Sequence, residues 1–128
     1  MKFLSECWDQ SQALDGVGND EDFLSELAGI FCAACPTLLK SLEDSISVED
    51  LFSAADTAHL LGRAAQNLAA PGVTQAAIAV EIMVRRKEID ELCNACYTLS
   101  QEAVRLVAAL EDYRNKRLEL LRKSESRK

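Results

Sequence analysis

The 128-residue chain carries 21 acidic and 14 basic residues for a net charge of -7, with 48% hydrophobic residues, 27% charged residues, five glycines and two prolines. This is one domain's worth of chain, enough to bury a core without disulfides, and the composition predicts a mostly helical globular protein. Residues 1–60 hold 12 acids and 2 bases while residues 111–128 hold 4 and 7, and so acidic a body argues against nucleic acid as a partner, because it repels a phosphate backbone.

The N-terminus places Glu6 and Asp9 where a signal peptide needs its apolar core. No continuous run approaches the roughly eighteen apolar residues of a membrane span. The five cysteines are odd in number and lie within helical patterns. The expectation is a soluble cytoplasmic protein of a reducing compartment.

In chain order, a short amphipathic segment over about residues 2–14 has Phe3, Leu4, Cys7, Trp8 and Leu14 as its apolar members. Residues 15–20, with two glycines, break it and supply an N-cap for the next helix. That helix is predicted from about Glu21 to Ile46, with Leu24, Ala28, Phe31, Cys35, Leu38 and Leu42 on one face. Pro36 falls inside the pattern and should kink the helix rather than end it, since the periodicity continues in phase. Ser47–Asp50 reads as the cap of a third helix that ends near Ala70, before Pro71-Gly72. A fourth begins near Val73 and closes on Arg85-Arg86-Lys87, where cations suit the helix dipole. A fifth starts near Glu88, with the stripe Leu92, Cys96, Leu99, Ala103, Leu106, Leu110, Tyr113 in steps of four and three, a bundle seam. Ser124–Lys128 is expected to fray. The predicted fold is all-α: a single-domain antiparallel up-down four-helix bundle, with an additional short N-terminal helix packed across one end.

The third helix carries the only histidine, His59. Leu51, Ala55, Ala58, Leu61, Ala65 and Leu68 fall on one stripe, and His59 sits at its edge. A glycine inside a helix costs about 1 kcal/mol relative to alanine, so Gly62 asks for a reason, and close approach of another molecule is one. With Arg63 at i+4 and small residues at 55, 58, 64 and 65, the pattern describes an accessible imidazole on a flat surface. Histidine is among the side chains that form covalent intermediates, and its neutral ring offers a nucleophilic nitrogen at physiological pH.

This stretch resembles the active-site helix of the histidine-containing phosphotransfer, or HPt, domains, whose pattern is Ala-His-x-Leu-Lys-Gly-Ser-Ala followed by Leu-Gly-Ala. Ala58, His59, Leu61, Ala65, Leu68 and Ala70 match it position for position. Residues 22–39, with Phe31 and Pro36, resemble the family's preceding helix, and Leu92–Leu110 its last one, so the likeness spans about residues 14–110, leaving a basic helical tail over 111–128. The departure is at positions 62 and 63, where the family's Lys-Gly is Gly62-Arg63. Cation and glycine are exchanged, and Arg63 is a planar, forked donor that suits a phosphoryl group.

The resemblance implies a phosphocarrier in a two-component phosphorelay rather than an enzyme with its own turnover. His59 would take a phosphoryl group from the aspartate of a receiver domain, in a response regulator or a hybrid histidine kinase, and hand it to another. The chain would bind no cofactor, because in this family the receiver brings the magnesium; positioning and charge do most of the catalysis. Arg63 would stabilise the phosphoryl charge, Gln66 would hydrogen-bond a phosphoryl oxygen, and Gly62 would give the receiver access.

Other features read structurally. Cys32-x-x-Cys35 and Cys93-x-x-Cys96 raise zinc or redox chemistry, but the pairs are far apart and mid-helix, without the spacing of a zinc ribbon or the strand of a thioredoxin motif. The tail, from Tyr113 to Lys123, is either a basic amphipathic helix for an acidic membrane or partner, or a solvated continuation of the last helix, which Glu111, Glu119 and Glu125 favour. The alternative to the carrier is a helical protein-interaction module without phosphotransfer, kept open by Gly62-Arg63. Oligomeric state stays open.

Overall fold

The structure, a computed structural model, describes residues 7–126, so Phe3 and Leu4 of the N-terminal segment and the last two residues of the tail lie outside the described residues. It contains α1 (Gln10–Gly16), α2 (Glu21–Ser47), α3 (Leu51–Asn67), α4 (Pro71–Arg86) and α5 (Leu92–Ser126), with no strand among the described residues. Connections of three to five residues join α2 to α3, α3 to α4 and α4 to α5, which forces antiparallel neighbours. With α2 also packed on α5, the four long helices close into a ring.

Each boundary has a local cause. Asp20 caps α2 by accepting from the Phe23 amide at 3.0 Å. The cap of α3 is Asp50, not Ser47, which still belongs to α2; the Asp50 carboxylate accepts from the Ser53 amide at 3.1 Å and its hydroxyl at 2.8 Å. Helix α4 begins at Pro71, two residues earlier than expected, because proline's missing N–H is harmless at a first helical position. It ends on Lys87 in the left-handed region (φ 57°), with the Glu88 amide returning to the Met83 carbonyl at 2.9 Å. That turn delays α5 to Leu92. Helix α2 runs uninterrupted through Pro36, which faces solvent. Helix α5 continues to Ser126 rather than fraying at Ser124, since no glycine or proline follows Tyr113.

The core is the stripe of each helix turned inward, with Leu24, Leu61, Leu92, Leu99, Leu106 and Leu110 essentially without exposure. Burying each contributes roughly 1.5–3 kcal/mol. The helices differ in length: α2 and α5 have 27 and 35 residues, α3 and α4 only 17 and 16, or about 40–50 Å against about 25 Å. The short hairpin therefore leaves one end of the long pair bare, and Trp8 fills the gap. Its indole Nε1 donates to the Leu68 carbonyl at 2.7 Å and its ring stands edge-on to Tyr113, centroids 5.4 Å apart. At this end Arg117 pairs with Glu21 at 3.1 Å and with Asp22, tying α5 to the start of α2.

By length and composition α2 is apolar enough to cross a membrane, its best 18-residue window averaging 1.4 in hydropathy. Its apolar residues are interrupted by Ser25, Glu26, Pro36 and Thr37, so no unbroken apolar run marks it in the sequence. Leu24, Ala28, Phe31, Cys35 and Leu42 form the stripe of α2 that is buried in the bundle.

Candidate functional site

Small residues bring α3 and α4 together more closely than any other pair. The buried set of α3 is Ala54, Ala55, Ala58, Leu61, Gly62 and Ala65; that of α4 is Val73, Ala76, Ala77, Val80 and Val84. Gly62 lies in this seam. A β-carbon there would sit 3.3 Å from Ala77 Cβ, tighter than ordinary packing. The glycine therefore admits the neighbouring helix, not a docking partner, and the expectation that it opens the surface to a receiver is corrected: the close approach it serves is internal.

His59 sits at the outer lip of the seam, with a side chain 49% exposed. Its Nδ1 lies 3.2 Å from Glu81 Oε1 on α4. The other carboxylate oxygen, Oε2, accepts from Arg85 Nε at 3.1 Å and Nη2 at 2.9 Å, one turn further along α4. Burial pushes the Glu81 carboxyl up, but the hydrogen bonds and charges of Arg85 and His59 outweigh it and hold the group below its ordinary 4.5. The acid is therefore ionised throughout the neutral range. Glu81 has no part in the sequence expectations, and Arg85 enters them only as a cation of the last turn of its helix. Their i,i+4 spacing with the acid first is a recognisable helix pair, but its position opposite His59 depends on the register of two helices.

Arg63, at i+4 from His59, is exposed and makes no ion pair among the described residues. Gln66 is exposed on the same helix but stands two turns from His59, about 10 Å along the axis. It lines a shallow depression with Asp9, Gln12, Thr74 and Gln75, so the structure does not gather it around the imidazole. Around His59 the surface is largely apolar, with Asp56 and Arg63 about one turn to either side on α3. Phe52, on the same face two turns earlier, is 83% exposed, and Leu60, Ile78 and Ile82 are also exposed. Residues 61–87 hold four bases against the single acid Glu81, one of two net-basic stretches of an acidic chain, the other being the tail over 111–128.

The cysteine pairs do not converge. Cys32 Sγ faces the Val107 carbonyl at 3.9 Å, whereas Cys96 lies within the field of Glu43, more than two turns further along α2. Burial pushes both the Cys35 and Cys96 thiols up to about 11, with the neighbouring cysteine of each pair adding to the effect. Among the described residues no three His, Cys, Asp or Glu side chains gather as a metal site.

Comparisons with known proteins agree with this architecture. A family model described as the Hpt domain matches residues 26–123. No curated protein matches the chain. Among solved structures, the chain is similar to the HPT domain of an Hpt sensor hybrid histidine kinase from Shewanella, at 13% identity and TM-score 0.78, covering 88% of this chain and 97% of that one. It is also similar to histidine-containing phosphotransfer protein B from Pseudomonas aeruginosa, at 18% identity and TM-score 0.79, covering 85% and 95%. At these identities the structural likeness speaks for the fold, and the family match, over most of the chain, for the descent. The chain belongs to the Hpt domain family, the histidine phosphotransfer modules of two-component signalling.

Proposed function

We propose that this protein is a phosphorelay carrier in which His59 accepts a phosphoryl group from the aspartate of one receiver domain and passes it to the aspartate of another. The observation that carries the reading is the setting of the chain's one histidine: half-exposed at mid-helix on the tightly packed α3–α4 face of an Hpt bundle, with Arg63 one turn away. In-line phosphoryl transfer needs a placed nucleophile and charge compensation more than it needs proton chemistry. The imidazole is the nucleophile, and Arg63, with no ion partner to leave among the described residues, is the cation that meets the phosphoryl oxygens. The receiver contributes the acidic pocket and its magnesium; this chain binds neither metal nor cofactor.

Docking follows the same logic. An acidic receiver pocket is drawn to the net-basic stretch over 61–87, and Phe52 and Ile78 offer apolar contact around the imidazole. Receivers of response regulators and of hybrid histidine kinases are the partner class, in the cytoplasm. The test is incubation of the chain with a phosphorylated receiver and magnesium. The carrier acquires an acid-labile, alkali-stable label that His59→Gln abolishes at unchanged helicity. Receiver binding without transfer by the wild type would instead favour an interaction module, the reading that the exchanged Gly62-Arg63 supports.

A further inference from the structure

We propose that the end of α5 is a self-association surface: two copies of this chain pair through their α5 tails, and each tail closes a groove at the end of the other copy's bundle. The inference is independent of any phosphoryl chemistry. Arg117 lies level with the start of α2, which it meets through Glu21 and Asp22. Residues 118–126 therefore project beyond the long pair by about 13 Å, and all of residues 118–125 are exposed. A helix of that length is marginal in water without packing. This one carries Leu118, Leu120 and Leu121 at 57%, 69% and 48% exposure.

The bare turns continue the bundle seam. At about 100° per residue, Leu120 and Leu121 fall on either side of the line through Leu106, Leu110, Tyr113 and Arg117, whereas Leu118 stands about 100° away from it. Beside them lies a groove of about 590 Å³, walled by Trp8, Gln10 and Glu21 on one side and by Tyr113, Leu120 and Leu121 of α5 on the other. It is what remains of the gap above the short α3–α4 hairpin once Trp8 has filled its floor.

Charge selects the occupant. Residues 9–26, which form α1 and the start of α2, hold six acids and no base, while residues 113–126 hold five bases and two acids. Arg117 brings the two stretches to the same end of the molecule. A two-fold axis beside Leu120 therefore lays the two tails antiparallel and carries the basic tail of each copy to the acidic end of the other. Residues 122–126 of one copy then cover Tyr113 and the groove of its partner, and Leu120 and Leu121 meet their counterparts across the axis. Such an interface is self-complementary and closes at two copies. An anionic bilayer is a poorer match for the same leucines and bases, because the six acids beside them face it too. His59 stands eight residues before the end of α3 at Asn67, about 12 Å along the helix, so pairing at this end leaves the ring of each copy open.

Sedimentation equilibrium of the full chain reads the association directly. At about 0.1 mM the wild type sediments at twice its chain mass of 14.1 kDa, and its dissociation constant rises about tenfold between low salt and about 0.5 M salt. The double variant Leu120→Asp, Leu121→Asp sediments as the monomer at unchanged helicity, whereas Leu118→Asp, on the outer side of the helix, still pairs. A wild type that stays monomeric at about 1 mM overturns the proposal. So does a dimer that survives the double substitution, that Leu118→Asp disrupts equally, or that salt leaves unweakened. Cosedimentation of a monomeric wild type with phosphatidylserine vesicles, lost in the double variant, assigns the surface to lipid and overturns it as well.

Discussion

The two halves of the bundle are built from different residues. Helices α2 and α5 are long and pack on each other, and they bury Leu24, Phe31, Leu99, Leu106 and Leu110, with Arg117 tying α5 to the start of α2. Helices α3 and α4 are short, and their shared seam is mostly alanine, valine and one glycine. Large side chains bury more area and so supply more of the stability. Small ones let two backbones approach, so that residues on the outer lips, His59 and Glu81, reach each other across the seam. The protein thus separates holding the fold together from positioning a reactive ring.

That contrast can be broken from either side. The largest effect belongs to the long pair: Leu106→Ala leaves a cavity in the fully buried core and should cost about 2–5 kcal/mol in chemical denaturation, with transfer unchanged in the folded fraction. Gly62→Val overfills the short seam, where even a β-carbon meets Ala77 at 3.3 Å. It should cost about 1–3 kcal/mol and, unlike Leu106→Ala, slow transfer in the folded protein by spreading His59 from Glu81. Arg63→Ala removes the proposed phosphoryl cation and should slow single-turnover transfer about tenfold, equivalent to about 1.4 kcal/mol, with the denaturation midpoint unchanged.

The smallest effect concerns the α3–α4 turn. Ala69 holds φ at 57°, a left-handed conformation that costs an alanine about 1 kcal/mol. The HPt pattern places glycine there. Ala69→Gly should raise stability by up to about 1 kcal/mol in thermal denaturation, without touching transfer.

Periodicity carried most of the fold. Of the stripe read from Leu51 to Leu68, all but the partly buried Leu51 are buried, and so is the α5 seam apart from the half-buried Cys96, because a helix buries one face and its sequence must say which. His59 was legible as the only residue of its kind, set in a pattern with a family likeness. Glu81 and Arg85 were not, since nothing in the local sequence of α4 says which residue of α3 it will face. Gly62 was correctly read as a close approach but assigned to the wrong neighbour: the spacing gives its edge of the stripe and not what packs there. Asp20 was legible as a cap, but within Ser47–Asp50 the capping residue was not. Ser47 and Asp50 are both good capping residues, and the choice between them is made by the left-handed Glu49 in the intervening turn.

The central claim is that the short α3–α4 face does the chemistry through one ring nitrogen. Peptide mapping after exposure to a phosphorylated receiver tests it most directly, under conditions that preserve phosphohistidine. The account predicts a single phosphoryl group, on the peptide that contains His59, and none on the His59→Gln protein. A phosphoryl group on any other residue, or one that persists in His59→Gln, would contradict it.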